Sequence, residues 1–163
     1  MPILKNVSTA LLIWLSPIIF MLHDFEEVIF MVPWLKNNYD SVQAKTPGFL
    51  QPKLKKLKTI TTEQFALAVA IEFVIFSIGA FLAVEYEFYY PVIVLNIFLL
   101  LHGLGHIISV IKLRKYAPCI ITTILLVLPY STYLIYRLIN TNFMELNYLL
   151  IICGIGLLLV FPV

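Results

Sequence analysis

Apolar residues run through this chain in blocks too long for the core of a small soluble domain. The first block starts at Ala10-Leu11-Leu12-Ile13-Trp14-Leu15 and continues through Pro17-Ile18-Ile19-Phe20-Met21-Leu22. It resumes at Val28-Ile29-Phe30-Met31-Val32. Mainly apolar windows follow near 63–84, 89–111, 117–137 and 143–163. With the first, near 8–32, they predict five helices, each able to cross about 30 Å of hydrocarbon at about 1.5 Å per residue. The expected fold is all-α, a polytopic membrane helix bundle that forms one domain over 1–163. Composition agrees: 61% of residues are hydrophobic, 12% are charged, and the mean hydropathy is +0.98. Lys5 before an apolar run has the look of a secretory leader. No small-residue cleavage site follows, so the segment is read as the first helix.

Charge orients the bundle. Six of the 11 basic residues (Lys36, Lys45, Lys53, Lys55, Lys56 and Lys58) fall between the first two apolar blocks, in a connection expected over 33–61. Lys112, Arg114 and Lys115 follow the third block, whereas Glu85 and Glu87 follow the second. The positive-inside rule then puts both basic connections in the cytoplasm, the N-terminus outside and the C-terminus inside. Pro33, Pro47-Gly48 and Pro52 predict that the first connection is mostly loop, with a short surface helix. Its lysines alternate with Leu54, Leu57 and Ile60, as in a strip lying on an anionic leaflet. Thr61-Thr62-Glu63-Gln64 reads as a capping box that opens the second spanning helix. The membrane accounts for the basic residues, and no nucleic-acid partner is expected.

Within the first block stands His23-Asp24-Phe25-Glu26-Glu27. Ionisable groups in such a segment cost several kcal/mol unless paired, metal-bound or neutralised. His23 and Glu27 are spaced i, i+4, as are His102 and His106 in the third block, so each pair shares a helix face. Glu72 interrupts the second block. Counted from the expected cytoplasmic ends, His23, Glu72 and His102 lie at a common depth of about 14 Å, and Glu27 and His106 near about 8 Å. Imidazoles and carboxylates delivered to one layer are the ligand set of zinc, iron or manganese. Three histidines and three glutamates exceed the needs of one tetrahedral ion, so two ions, or one ion and a general base, fit the set. Asp24 is expected to point away from His23, outside the site. Cys119 and Cys153 lack metal-ligand spacing and read as small apolar residues. Gly154-x-Gly156 reads as close helix packing.

With these residues the chain resembles the HXXEE-domain membrane proteins. His23-x-x-Glu26-Glu27 comes early in the first helix. His106 precedes a basic turn, and Tyr116-Ala117-Pro118-Cys119 follows, with cysteine where the family pattern has glycine. Thr122 and Leu128-Pro129 fit the same pattern. Because that family's function is undefined, the resemblance implies a membrane bundle built around these residues but no reaction. Glu26-Glu27 and Phe98-x-x-x-His102 also match two short motifs of CAAX-type intramembrane proteases. Met31 stands where that pattern has arginine, and no later helix brings a further histidine, so the likeness serves only as a chemical analogy. Tyr116-x-Pro118 reads as a helix start, with Tyr116 as an interfacial anchor or a cover for the mouth of the site.

The expected function is a membrane-embedded, metal-dependent, hydrolase-like enzyme acting on a lipid or another apolar small molecule. His23, Glu27, Glu72 and His106 are the expected ligands, His102 a secondary one, and Glu26 the general base. The competing readings are a proton-coupled or cation transporter, a metal-free lipid isomerase and a non-catalytic assembly partner. Small size and the lack of inverted repeats count against transport. The expected location is a cell membrane, crossed several times.

Overall fold

The structure is a computed structural model and describes residues 7–140. All regular structure among the described residues is helical. Helix α1 (Thr9–Lys45) leads through a 3-10 turn (Gly48–Leu50) to a short α2 (Gln51–Leu57). Then come α3 (Thr62–Glu85), α4 (Tyr90–Leu113) and α5 (Ile120–Asn140). Helices α3, α4 and α5 are each long and apolar enough to cross a membrane. The helix expected over 143–163, with Cys153 and Gly154-x-Gly156, lies outside the described residues.

Helix α1 departs most from expectation, because it continues through Pro33 to Lys45 in place of a loop from 33 onward. A proline deprives the helix of one hydrogen bond and crowds the preceding turn. Tertiary contacts beyond Pro33 offset that loss. Leu35 is buried, the Trp34 indole Nε1 donates to the Tyr116 carbonyl at 3.0 Å, and Lys45 Nζ donates to the Lys112 carbonyl at 2.6 Å. Lys45 thus places a cation on the open carbonyls that end α4, where the helix dipole is negative. Arg114, in the left-handed region at φ 53°, closes that helix. The true break in the first connection comes at Pro47-Gly48. The short α2 then turns Leu54 inward, and Lys58 sits 4.0 Å over the Tyr39 ring of α1.

The other helix starts follow local rules. Thr61 Oγ1 accepts from the Gln64 N–H while Gln64 Oε1 accepts from the Thr61 N–H, closing the capping box at α3. Pro91 enters α4 in its first turn, where no N–H partner is needed. In α5, Thr123–Val127 widens to a π-turn in which the Leu128 N–H reaches the Thr123 carbonyl. Pro129, next in the chain, has no N–H to offer and crowds the carbonyl one turn back, so the wider turn relieves it.

Helix α1 packs on α3, α4 and α5, and α4 packs on α3 and α5. One apolar cluster joins Leu12, Ile13, Ala80, Ala83, Val92, Ile93, Ile97, Leu134 and Leu138. A second, nearer the middle, joins Phe20, Val69, Phe76, Phe98, Leu99 and Val127, with Phe20 and Phe76 stacked at 4.3 Å. Gly103 lets α4 approach α5 closely, since a Cβ there would meet Thr123 Cγ2 at 3.1 Å and Val127 Cγ1 at 3.2 Å. The polar residues of the motif lie on the same buried stripe of α1 as Ser16 and Phe20, one turn further along.

Candidate metal centre

Helix α1 supplies His23, Asp24 and Glu27, all buried, and α4 supplies buried His106 and half-buried His102. The i, i+4 spacing on α4 sets the two imidazoles one above the other, with their Nε2 atoms 2.9 Å apart. Glu27 lies against both rings: Oε2 is 3.7 Å from His102 Nε2, and Oε1 is 3.7 Å from His106 Nε2. The His23 ring meets the His106 and His102 rings edge-on at centroid distances of 5.3 and 5.6 Å. Donor atoms from His23, His102 and His106 all lie within 4.8 Å of one another. The same holds for Asp24, Glu27 and His102, and for Glu27, His106 and Cys119. This buried His/Glu/Asp cluster could bind a metal ion.

The tautomer of His23 follows from its neighbours. Thr122 Oγ1 has one proton, and the Glu26 carboxylate oxygen Oε2 lies 2.7 Å away, against 3.4 Å for the Cys119 carbonyl. The hydroxyl therefore donates to Glu26 and accepts from His23 Nδ1–H at 2.9 Å. Nε2 of His23 is left unprotonated, fully buried and without a hydrogen-bond partner. Metal-ligating histidines are commonly held this way, with the second ring nitrogen donating to a fixed acceptor.

Glu26 lies outside the cluster proper. Its Oε2 also accepts the Thr122 N–H at 3.2 Å, and its Oε1 accepts the Tyr116 hydroxyl at 2.8 Å. These three donors come from the turn between α4 and α5 and from the first residues of α5. Burial first, and then the bond to the Glu26 carboxylate, push the Tyr116 phenol up to about 12, so it stays a donor at neutral pH. Glu72 is half-buried on α3, within electrostatic range of His102 and Glu27 but in none of the three donor sets. Sequence reasoning placed Asp24 outside the site. The structure corrects this: Asp24 is 3% exposed, its Oδ2 has no partner, and it joins Glu27 and His102. Adjacent residues on a helix differ by about 100°, and a buried stripe that wide holds both His23 and Asp24.

Cys119 also lies beside the cluster. It is wholly buried and holds φ 71°, a left-handed conformation that carries its side chain to Glu27 and His106. Burial and the nearby carboxylates push its thiol well above the usual range. Spacing along the chain could not have found it. The positioning role of Thr122 was equally hidden, although its place after Tyr116-x-Pro118 marked it.

The family model for proteins of unknown function with an HXXEE motif matches residues 14–134, well over half of the chain. The chain belongs to this family. The HXXEE motif is His23-x-x-Glu26-Glu27, and the matched span holds every cluster residue named above. No curated protein and no solved structure matches the chain.

Proposed function

We propose that this HXXEE protein is a membrane-embedded, metal-dependent hydrolase acting on a lipid or another apolar molecule. The observation that carries it is the donor set of His23, His102 and His106 beside Glu27, in which the buried His23 Nε2 has no partner because Thr122 takes Nδ1. The His102 and His106 Nε2 atoms are 2.9 Å apart and each lies 3.7 Å from a Glu27 oxygen, close to the spacing of neighbouring ligands on one ion with bonds of about 2.0–2.2 Å. His23, His102 and His106, with Glu27 beside them, would hold the ion, and zinc, iron or manganese suits them. Such an ion, when bound, activates a water and polarises a carbonyl.

The rest is done by the protein's own groups. Glu26, saturated by Tyr116 and Thr122, fixes the His23 tautomer and acts as a positioning residue. Asp24, which groups with Glu27 and His102, takes in this reading the proton-transfer role that the sequence assigns to Glu26, whose oxygens are already occupied. Glu72 stands at the edge, between exposed Ile71 and Phe73. Helix α1 also crosses the bilayer in this reading, since its outer face presents Leu11, Ile18, Leu22, Phe25 and Ile29. The basic connections around Lys55 and Lys115 are cytoplasmic.

Metal analysis of the protein purified in detergent tests this reading. Stoichiometric zinc, iron or manganese supports it, together with hydrolysis of apolar esters by the native but not the ion-stripped protein. No bound ion under saturating metal transfers the cluster to proton-relay chemistry. A reporter inserted at Glu87 should be outside and one after Gly48 inside. Both on one side would undo the topology.

A further inference from the structure

Helix α5 begins at a residue whose geometry the reaction outlined above leaves unused. Cys119 is the N-cap of α5 and is 0% exposed, with its Sγ within 4.8 Å of a Glu27 carboxylate oxygen and a His106 ring nitrogen. His106 also belongs to the donor set of His23 and His102, in which the buried His23 Nε2 has no hydrogen-bond partner. The turn Ala117-Pro118-Cys119, buried throughout, holds the thiol against the centre, and Thr122 and Tyr116 anchor the turn to Glu26.

We propose that Cys119 is a thiolate ligand of this centre, shared with Glu27 and His106, so that its resident ion is a thiophilic one of the zinc type and not manganese. The inference rests on the metal centre proposed above and adds ligand and ion class to it. A soft sulfur donor among imidazoles and carboxylate selects zinc, cobalt or iron over manganese, which prefers oxygen ligands. Coordination exchanges the S–H bond for a sulfur–metal bond and releases one proton to solvent, with no electron transferred. Metal–sulfur bonds are about 2.3 Å and metal–nitrogen bonds about 2.0–2.1 Å, so ion binding contracts the observed separations.

Cobalt(II) reports both claims separately. The full chain in detergent, stripped by chelator and reloaded with cobalt, is expected to show visible ligand-field bands and a near-ultraviolet sulfur-to-cobalt charge-transfer band. Cys119→Ser should lose the near-ultraviolet band to background while keeping the visible bands, and Cys153→Ser should keep both. Visible bands without the near-ultraviolet band, or a near-ultraviolet band that survives Cys119→Ser, overturn the thiolate and leave the metal centre standing. No visible bands under saturating cobalt overturn both. Should Cys119→Ser fail to fold, X-ray absorption on the native zinc-loaded protein decides the matter. A sulfur shell near about 2.3 Å supports the ligand, and only nitrogen and oxygen neighbours refute it.

Discussion

Two polar layers cross this bundle. At the Ser16 end, Asn96 Nδ2 donates to Ser16 Oγ and to the Val92 carbonyl, both at 2.8 Å, and Tyr130 donates to the Leu12 carbonyl at 2.7 Å. These groups are neutral, and the apolar cluster around Ile13, Ile93 and Leu134 lies beside them. Even here Asn96 Oδ1 and Ser131 Oγ lack partners, at a cost of about 1–3 kcal/mol each. At the His23 end the groups are ionisable: the His102 and His106 Nε2 atoms share one hydrogen bond, and both lie 3.7 Å from Glu27 carboxylate oxygens. Neutral hydroxyls and amides between membrane helices hold them in register at modest cost. Paired only with one another in an apolar layer, such ionisable groups remain costly to bury, and a bound cation would offset that cost. The bundle accommodates the first layer by packing, whereas the second calls for a ligand.

The largest expected effect breaks this comparison if it is wrong. His106→Ala or Glu27→Ala should reduce bound metal to near zero, measured by elemental analysis of the detergent-purified protein, and abolish any rise in Tm on adding zinc. Ile93→Ala, in the apolar cluster of the Ser16 end, should cost about 2–4 kcal/mol of stability and leave metal stoichiometry intact. Equal metal loss in both variants would mean that the centre merely reports global folding.

Thr122 sharpens the contrast at the next scale. Thr122→Val removes the acceptor of His23 Nδ1–H and one of the three donors to Glu26, while keeping shape. Zinc affinity, read by competition with a chelator, should fall about 10–100-fold, and Thr122→Ser should restore most of it. Asn96→Leu, the matching deletion in the other layer, should leave zinc affinity unchanged.

Packing across the two layers gives a smaller effect. Gly103→Ala drives a methyl group into Thr123 and Val127 and should lower stability by about 1–3 kcal/mol. Gly105→Ala meets nothing within 4 Å and should be neutral or slightly stabilising, because it raises helix propensity in α4. Thermal unfolding of the two variants side by side separates close α4–α5 approach from a general intolerance of substitution.

Much of this was legible because polar residues stand out against an apolar background. The i, i+4 spacing marked His23 with Glu27 and His102 with His106, and the fold sets these side chains beside one another. The capping box at Thr61 was legible from four adjacent residues. What the sequence concealed depends on the third dimension. Pro33 reads as a helix break until Trp34, Leu35 and Lys45 are seen gripping the α4–α5 turn and the end of α4. Helix spacing turns Asp24 about 100° away from His23, although the buried stripe is wide enough for both. Cys119 and Thr122 reach the cluster only because a left-handed residue starts α5 beside α1, and no spacing rule within one helix can show that.

The smallest effect concerns the strap across the His23 end. Tyr116 donates to Glu26 from the α4–α5 turn, and its phenol is pushed up to about 12 by burial and by that carboxylate. A folded value above the unfolded one, about 10, means the contact stabilises fully below about pH 10 and is lost as pH rises through about 12. Tyr116→Phe should therefore lower Tm slightly and by a constant amount from about pH 6 to 9, with the gap to the native protein closing at higher pH. Tyr116 is 51% exposed, so solvent screening keeps the gap small. Metal content should be unchanged by the variant, since Thr122 still holds His23 through its own hydroxyl. A gap that widened above about pH 10 would show that the phenol is not the donor, and Glu26 would then be held by Thr122 alone.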